Sequence, residues 1–237
     1  MIDRNLLRSE ANALGVRLDE TALERFDRYA KRLVEVNEHL NLTAITEPTE
    51  ILYKHFLDSL TVLQAIHLPE NARCIDVGTG AGFPGAALLI ARPDLRMTLL
   101  DGTRKKLGFI QETLDTVGLS AQIVHMRAEE AGQLSAHRAQ YDLVTARAVA
   151  NLRELCEYCL PFAGIDGTFV AMKSVRSDAE IAEAQSAIRL LGGKIDKNLS
   201  FSLPQTGERT LICIKKISQT PAKYPRPSAK IAKQPLK

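Results

Sequence analysis

The stretch 76–85, "DVGTGAGFPG", decides the fold, because it places four glycines in ten positions directly behind a short apolar run, "RCI". Glycines behind a strand let the backbone turn tightly and approach a ligand, since no Cβ stands in the way. In open α/β sheets such a loop lies beyond the carboxyl end of its strand, where ligands bind. The stretch therefore predicts an α/β domain with a ligand at the end of its first strand.

Short apolar runs alternate with amphipathic segments from residue 73 onward, which is typical of a mostly parallel sheet with helices on both faces. Two later runs, 193–203 and 209–217, leave no room for a helix between them, so they predict an antiparallel hairpin at the sheet edge. The other predicted strands are 73–77, 96–101, 122–126, 141–146 and 167–173, and the predicted helices are about 84–92, 103–117, 150–160 and 177–191.

Three regions follow from this pattern. Residues 1–70 predict a helical extension, because apolar residues such as Leu23 and Phe26 recur at three- and four-residue steps. Residues 71–217 form the predicted ligand-binding domain, and the Pro- and Lys-rich residues 218–237 predict an extended basic tail.

The basic charge is concentrated at the end of the chain. From Lys215 onward there are seven Lys and Arg residues and no Asp or Glu, although the whole chain has a net charge of only +3. This asymmetry indicates a polyanionic partner for the tail, an ordered strap over the body, or a solvated terminus.

The composition, 45% hydrophobic and 25% charged, is that of an ordinary soluble globular protein. No apolar stretch approaches the roughly 20 residues that span a bilayer, and the N-terminus lacks an apolar signal core, so we expect a cytoplasmic protein without membrane contact. Cys156 and Cys159 form a C-x2-C pair without a second pair at zinc-site spacing. We interpret them as buried thiols on one helix face, and we predict no metal site and no disulfide.

The glycine spacing limits the classes of ligand that this loop could bind. The dinucleotide motif G-x-G-x-x-G would need a third glycine where the chain has Phe83, and the P-loop would need a Lys after the glycines. Asp101 closes the second predicted strand, 23 residues after Gly78. A carboxylate there can accept hydrogen bonds from the two hydroxyls of a ribose. The pattern predicts a ligand that contains a nucleoside but no pyrophosphate.

"DVGTGAG" followed by an acidic strand end resembles the seven-stranded, Rossmann-like S-adenosylmethionine-dependent methyltransferases, and the closing hairpin agrees with that class. At a finer level the chain resembles the bacterial ribosomal RNA small-subunit methyltransferase G family, also called glucose-inhibited division protein B. The stretches that carry this resemblance are "NLTAITEP" (41–48), "KHFLDSL" (54–60), "DVGTGAGFPG" (76–85), "TLLDGTRKKLGFI" (98–110), "YDLVTARAV" (141–149) and "YPRPSAKIAKQPL" (224–236).

The resemblance implies methyl transfer from S-adenosylmethionine to ring nitrogen seven of a guanine in 16S rRNA, by a monomer acting on the RNA or the small-subunit particle. It assigns no catalytic residue. The chain departs from the family at Gly102, where Ser is commoner, and at Pro227 and Ala229 in the tail. The expected cofactor-binding residues are Gly78, Gly80 and Phe83 of the glycine loop, Asp101 by the ribose argument, Ala128 and Glu129 after the third strand, and Arg147 beside the methionine end.

Several of these residues have structural alternatives. Phe83 could cap the core behind the loop, Asp101 could cap the following helix, and Arg147 could be a surface charge. Asp76 could order the glycine loop by accepting backbone N–H bonds.

His55 and Asp58 lie three apart, and without the resemblance they are interpreted as a surface pair on one helical face. The cluster "GTRKK" (102–106) could hold RNA phosphates together with the tail, or be a solvated helix start. For the whole chain three other functions stay open: a methyltransferase for another RNA or for a small molecule, a non-catalytic nucleotide-binding regulator, and, least favoured, a dinucleotide oxidoreductase.

Overall fold

The computed structural model describes residues 1–147, 150–173 and 178–236. Outside these ranges lie Ala148 and Val149 of the stretch 141–149, Ser177 at the start of a predicted helix, and Lys237 of the tail. The strands are β1 (Arg73–Val77), β2 (Arg96–Asp101), β3 (Gln122–His125), β4 (Tyr141–Arg147), β5 (Ala163–Lys173), β6 (Gly193–Leu203) and β7 (Gly207–Lys216).

These seven strands form one sheet in the order β3-β2-β1-β4-β5-β7-β6. Strands β1 to β5 run parallel to one another, whereas β7 runs antiparallel to both β5 and β6. The seven-stranded Rossmann-like fold and the edge hairpin are therefore confirmed. The strand order reverses beside β1, because β2 and β4 flank it, and this is where ligands bind in open α/β sheets.

The helices between the strands also follow the predicted pattern. Two short helices were not anticipated: α7, which follows β3, and α10, near the end of the chain. The helices are α1 (Arg4–Ala13), α2 (Glu20–Leu40), α3 (Pro48–Glu50), α4 (Asp58–Ala65), α5 (Gly85–Ala91), α6 (Arg104–Thr116), α7 (Ala128–Ala131), α8 (Leu152–Cys159), α9 (Asp178–Leu190) and α10 (Ser228–Lys233).

A π-helical segment, Ile51–Leu57, joins α3 to α4. Pro48 lies in the first turn of α3, as its fixed φ favours, and the helical path continues from there to Ala65. Such wide turns are rare and often occur at functional sites. Here the segment carries Lys54 and His55 to the carboxyl edge of the sheet.

Hydrophobic packing covers both faces of the sheet. On one face the N-terminal helices pack with α5 and α6 around Phe26, Tyr29, Phe56 and Leu99. On the other face α8 and α9 pack around residues such as Phe162. The predicted helices of residues 1–70 are present, and they share one continuous core with the sheet. This explains how the extension reaches the loops at the strand ends.

Residues 218–236 form an ordered C-terminal strap. Arg138 donates hydrogen bonds to the carbonyl oxygens of Thr220 and Tyr224, both at 2.8 Å, and the side chains of Tyr224 and Ile231 are buried. The strap alternative for the tail is therefore confirmed, and a freely solvated terminus is wrong. The tail predicted as extended contains one short helix, α10, which forms around the buried Ile231.

An ion pair fastens the strap to α8. The Arg226 guanidinium donates to both carboxylate oxygens of Glu157, at 2.7 and 2.6 Å, and Glu157 is fully buried. Lys216 at the end of β7 is also buried, and its ammonium donates to the carbonyl oxygens of Leu160 and Leu191 and to Thr220 Oγ1 of the strap. Burial, with a smaller effect of the Arg138 charge, lowers the pKa of Lys216 to about 7. Two of the seven cationic residues thus hold the strap in place.

The prediction that Cys156 and Cys159 are buried thiols on one helix is confirmed. Cys156 and Cys159 are buried on α8, and all four cysteines carry free thiols. Among the residues that the structure describes, none of the helices is both long enough and apolar enough to cross a membrane.

Candidate active site

Asp76, near the end of β1, organises the glycine loop from below. Its Oδ2 accepts hydrogen bonds from Thr79 Oγ1 at 2.6 Å and from the Gly85 amide at 2.9 Å, and its Oδ1 accepts one from Thr145 Oγ1 at 2.9 Å. Burial raises the pKa of Asp76, although these hydrogen bonds favour the charged form. The loop-ordering alternative for Asp76 is thereby confirmed.

The glycine loop needs its glycines for two reasons. Gly78, Gly80 and Gly82 have φ values of 70°, 60° and 92°, a region that other residues rarely adopt. A Cβ on Gly82 would also collide with the hydroxyl of Tyr29, which donates a hydrogen bond to the carbonyl oxygen of Ala81. Helix α2 of the N-terminal extension therefore packs directly against this loop.

Asp101 joins the glycine loop to the loop after β2. Its Oδ2 accepts a hydrogen bond from the Gly80 amide at 3.0 Å, and its Oδ1 accepts one from the Thr103 amide at 2.8 Å. Thr103 is the residue that precedes α6, so Asp101 also serves the start of that helix, as the capping alternative suggested. A carboxylate has about four acceptor positions, which leaves capacity for a ligand.

A cleft of about 480 Å3 opens above the carboxyl ends of β1, β2 and β4, and we call it the first cleft. The structure brings together at its wall five of the seven residues that the sequence predicts as cofactor contacts. They are Gly78, Asp101, Ala128, Glu129 and Arg147.

Gly80 and Phe83 lie in the glycine loop but outside the lining of the first cleft. The Phe83 ring is buried and stacks on the His55 ring, with 4.5 Å between the centroids and 9° between the planes. The Arg147 guanidinium lies 5.4 Å from the centroid of the same ring. Phe83 thus packs behind the loop, as its structural alternative describes, and its contact with a cofactor stays a prediction.

The sequence did not single out the α8 residues that line the first cleft. Leu100 and Met126 add apolar surface to the lining, near the ends of β2 and β3. The sequence did contain part of the information needed to predict the α8 residues, because the helix after β4 has an apolar face that must pack near the strand ends. The α8 residues concerned are Glu154, Leu155, Tyr158 and Cys159.

Arg147 ends β4 in a network of polar contacts with the N-terminal extension. Its Nη1 donates hydrogen bonds to the Lys54 carbonyl oxygen and to Asp58 Oδ2, both at 3.0 Å. The other carboxylate oxygen of Asp58 accepts a hydrogen bond from Arg209 Nε at 2.8 Å. Asp58 thus holds two arginines that come from β4 and β7, and Arg147 is no simple surface charge.

The interpretation of His55 and Asp58 as a surface pair is wrong. Both are buried, with 6% and 4% of their surface exposed, because the extension packs across the strand ends. His55 Nδ1 lies 3.4 Å from Arg147 Nη2, and His55 Nε2 lies 3.0 Å from Thr43 Oγ1. Burial and the neighbouring Arg147 charge lower the pKa of His55 to about 3, so the ring is neutral at pH 7. The contacts fit a tautomer in which Nε2 donates to Thr43 and Nδ1 accepts.

A second cleft of about 400 Å3 lies on the other side of Arg147, which lines both clefts. Its wall combines residues from the N-terminal extension with residues from β5, β7 and α9. They are Ile45, Lys54, His55, Asp58, Arg147, Met172, Lys173, Glu180, Arg209 and Leu211. Within the described ranges 1–147, 150–173 and 178–236, no three His, Cys, Asp or Glu side chains are grouped so that they could hold a metal ion.

The family model of the rRNA small subunit methyltransferase G matches residues 22–211, which include the glycine loop, Asp101 and both arginines of the Asp58 network. The chain belongs to this family. A curated relative of that name from Pelotomaculum thermopropionicum is 44% identical over 97% of each chain, and one from Alkaliphilus metalliredigens is 44% identical over the full length of both. The family and the fold make the protein an S-adenosylmethionine-dependent methyltransferase.

Solved structures of more distant proteins show the same fold. A methyltransferase from Aquifex aeolicus, described as dependent on S-adenosylmethionine, is 16% identical with a TM-score of 0.53, over 75% of this chain and 97% of that one. At this level of identity the similarity concerns the fold alone.

Proposed function

We propose that the protein transfers the methyl group of S-adenosylmethionine to ring nitrogen seven of a guanine in 16S rRNA. The observation that carries this proposal is the match, over nearly the whole chain, to relatives named ribosomal RNA small subunit methyltransferase G. The glycine loop and the first cleft supply a site of the kind that this reaction needs.

The residues that line the first cleft fit S-adenosylmethionine. Asp101 stands at the end of β2, where a carboxylate accepts hydrogen bonds from ribose hydroxyls. Ala128 and Glu129 stand after β3, beside the apolar surfaces of Leu100 and Met126 that suit a planar adenine. Arg147, at the end of β4, supplies positive charge for the carboxylate of the methionine end. When bound, S-adenosylmethionine supplies an electrophilic methyl group on a sulfonium.

Ring nitrogen seven of guanine already carries a free lone pair, so no proton has to be removed before it attacks. Neither a general base nor a metal is required by this chemistry. We therefore expect the protein to act mainly by aligning the nitrogen with the methyl group and the sulfur. Positive charge moves from the sulfur to the purine, so a nearby carboxylate or carbonyl oxygen favours the product side.

The acceptor nitrogen lies on the major-groove edge of guanine, which A-form RNA keeps out of reach of side chains. The target must then be unpaired or lie in a distorted helix. We expect phosphate contacts from exposed cations at the start of α6 and on the C-terminal strap, because such contacts dominate affinity for nucleic acids. These residues are Arg104, Lys105, Lys223, Lys230 and Lys233.

We further propose a division of labour within a cytoplasmic monomer. Residues 71–217 hold the cofactor, residues 1–70 complete the site at Arg147, and residues 218–237 position RNA. The contact of α2 with the glycine loop and the contact of the strap with α8 support this division.

The test is methyl transfer from labelled S-adenosylmethionine to small subunits purified from a strain that lacks the gene, with transfer RNA as the competing acceptor. We expect label in 7-methylguanosine of 16S rRNA. Transfer to transfer RNA alone would support a different RNA substrate. Cofactor binding without any turnover would support a regulatory protein. Free 16S rRNA in a parallel reaction decides whether the particle is needed.

A further inference from the structure

The two clefts meet at one side chain. Arg147 lines both, and five of the seven residues expected to contact S-adenosylmethionine line the first cleft. We propose that the second cleft is the pocket for the acceptor guanine, and that the N-terminal extension builds one wall of it. This inference rests on the proposed function, because it names the site that the acceptor would occupy.

The size and the apolar surfaces of the second cleft fit one nucleoside. Its volume of about 400 Å3 lies in the range of about 300–1,000 Å3 that is usual for small-molecule sites. Ile45 from the extension faces the cleft together with Met172 of β5 and Leu211 of β7. These side chains offer surface against which a base that has left its stack can pack.

The extension holds its wall of the second cleft in place through His55. Thr43 Oγ1 contacts His55 Nε2 at 3.0 Å and accepts a hydrogen bond from the Ile45 amide at 3.0 Å. His55 in turn stacks on Phe83 of the glycine loop. Ile45 is thus tied through two residues to the loop beside the first cleft, which fixes the two clefts relative to each other.

The charged groups of the second cleft suit a nucleotide. Four cationic side chains line it against two carboxylates. Asp58 is shared by Arg147 and Arg209, and Lys54 also pairs with Glu50 of α3, which leaves a surplus of one positive charge. His55 adds no charge at pH 7. The surplus of cations favours the phosphate of a bound nucleotide.

Glu180 is the group that distinguishes guanine. Its Oε2 accepts hydrogen bonds from Lys173 Nζ at 2.8 Å and from the Leu152 amide at 3.1 Å, which fixes the carboxylate at the cleft. A carboxylate has further acceptor positions, and the N1–H and N2–H groups of guanine are donors that match them. Adenine presents an acceptor at its N1 position and is disfavoured. Recognition of this edge leaves ring nitrogen seven free on the opposite side of the base.

The transfer step is balanced without any further reactant. A bond forms between guanine nitrogen seven and the methyl carbon while the bond from that carbon to sulfur breaks. The nitrogen lone pair makes the new bond, the electrons of the broken bond stay on sulfur, and the positive charge passes to the purine. No proton changes place.

The experiment fills the second cleft and measures the two binding events separately. Ile45→Trp places an indole in the cleft, and Ile165→Trp makes the same exchange at an exposed isoleucine of β5. The natural chain has no Trp, so indole emission reports whether the new ring is buried. Affinity for S-adenosylmethionine is measured by calorimetry, and kcat/KM is measured with small subunits.

We expect Ile45→Trp to give blue-shifted emission, a cofactor Kd within about twofold of the natural protein, and at least a fiftyfold lower kcat/KM, whereas Ile165→Trp leaves both values unchanged. Normal kcat/KM with a buried indole would overturn the proposal, as would parallel loss of cofactor binding and transfer. If the indole emission is that of a solvated ring, the Glu180→Gln variant is the test instead. We expect it to lower kcat/KM tenfold or more at unchanged cofactor affinity. An unchanged kcat/KM of this variant overturns the proposal. A natural protein that transfers no methyl group to small subunits or to free 16S rRNA refutes the proposed function itself.

Discussion

Arg147 donates a hydrogen bond of 3.0 Å to Asp58, although 89 positions separate them, and the contact joins the end of β4 to the start of α4. Asp58 also accepts a hydrogen bond from Arg209. Removal of one partner from a buried ion pair leaves the other charge uncompensated. The position of the arginine that faces both clefts therefore depends on a carboxylate of the N-terminal extension.

Arg147→Ala should lower kcat/KM for small subunits strongly, by about a hundredfold, because misplaced substrates cost about that much in rate. The fold should be retained, which circular dichroism checks. Asp58→Ala should lower kcat/KM about tenfold or more through the misplaced guanidinium. Since both changes act on one unit, the double variant should be little worse than Arg147→Ala alone. Fully multiplicative losses would contradict a positioning role for Asp58.

Asp101→Asn should raise the Kd for S-adenosylmethionine by about tenfold to a hundredfold. The reason is that hydrogen bonds to a charged group contribute about 1.5–3 kcal/mol, and an amide accepts fewer of them than a carboxylate. Calorimetry measures the affinity. Asp115→Asn, at the end of α6 away from the cleft, is the matched control and should bind normally. If the Asp101→Asn variant binds S-adenosylmethionine as tightly as the natural protein does, Asp101 does not contact the ribose.

His55 should make the protein sensitive to acid. Its pKa is about 3 in the folded protein, against an ordinary value of 6.5, because burial and the Arg147 charge oppose protonation. The unfolded chain therefore binds one more proton between pH 6.5 and 3, so the stability is fully present above 6.5 and is lost as the pH falls towards 3.

His55→Gln should lose less of its free energy of unfolding between pH 7 and 4.5 than the natural protein does. Urea unfolding at both pH values measures this difference. His39→Gln, at an exposed histidine of α2, should follow the natural protein. Identical pH dependence of all three proteins would mean that His55 carries its proton in the folded state.

The exposed lysines of the strap should contribute to RNA affinity. Because the strap is packed against the body, deletion of residues 218–237 would also remove buried side chains, and charge variants are the cleaner test. Lys223, Lys230 and Lys233 are all exposed, and changing all three to Gln should lower RNA affinity. The slope of log K against log salt should fall by about one for each phosphate that the variant no longer neutralises. An unchanged slope would leave the strap with a structural role alone.

The sequence was most informative where a local pattern determines the structure. The first two strands end at Val77 and Asp101 as predicted, because apolar runs bounded by glycine and acidic turns identify the strand ends. Gly78, Asp101 and Arg147 each follow or end a parallel strand, so the topology brings them to one edge of the sheet. Their meeting around the first cleft was therefore foreseeable.

The features that could not be predicted from the sequence depend on packing between residues that are far apart in the chain. Nothing near His55 indicates that its ring stacks on Phe83, because that contact needs the extension to cross the strand ends through a π-helical turn. The side of α8 that faces the first cleft depends on how the helix packs on the sheet. The helix at Ser228–Lys233 forms where Ile231 finds a buried position, which the Pro- and Lys-rich composition hid.

Nucleoside mass spectrometry of 16S rRNA tests the central claim most directly. The RNA is taken from a strain that lacks the gene, from its parent, and from the deleted strain carrying either the natural gene or Arg147→Ala. We predict that deletion removes one 7-methylguanosine from 16S rRNA, that the natural gene restores it, and that the Arg147→Ala gene does not. An unchanged level of 7-methylguanosine after deletion would contradict the proposed function.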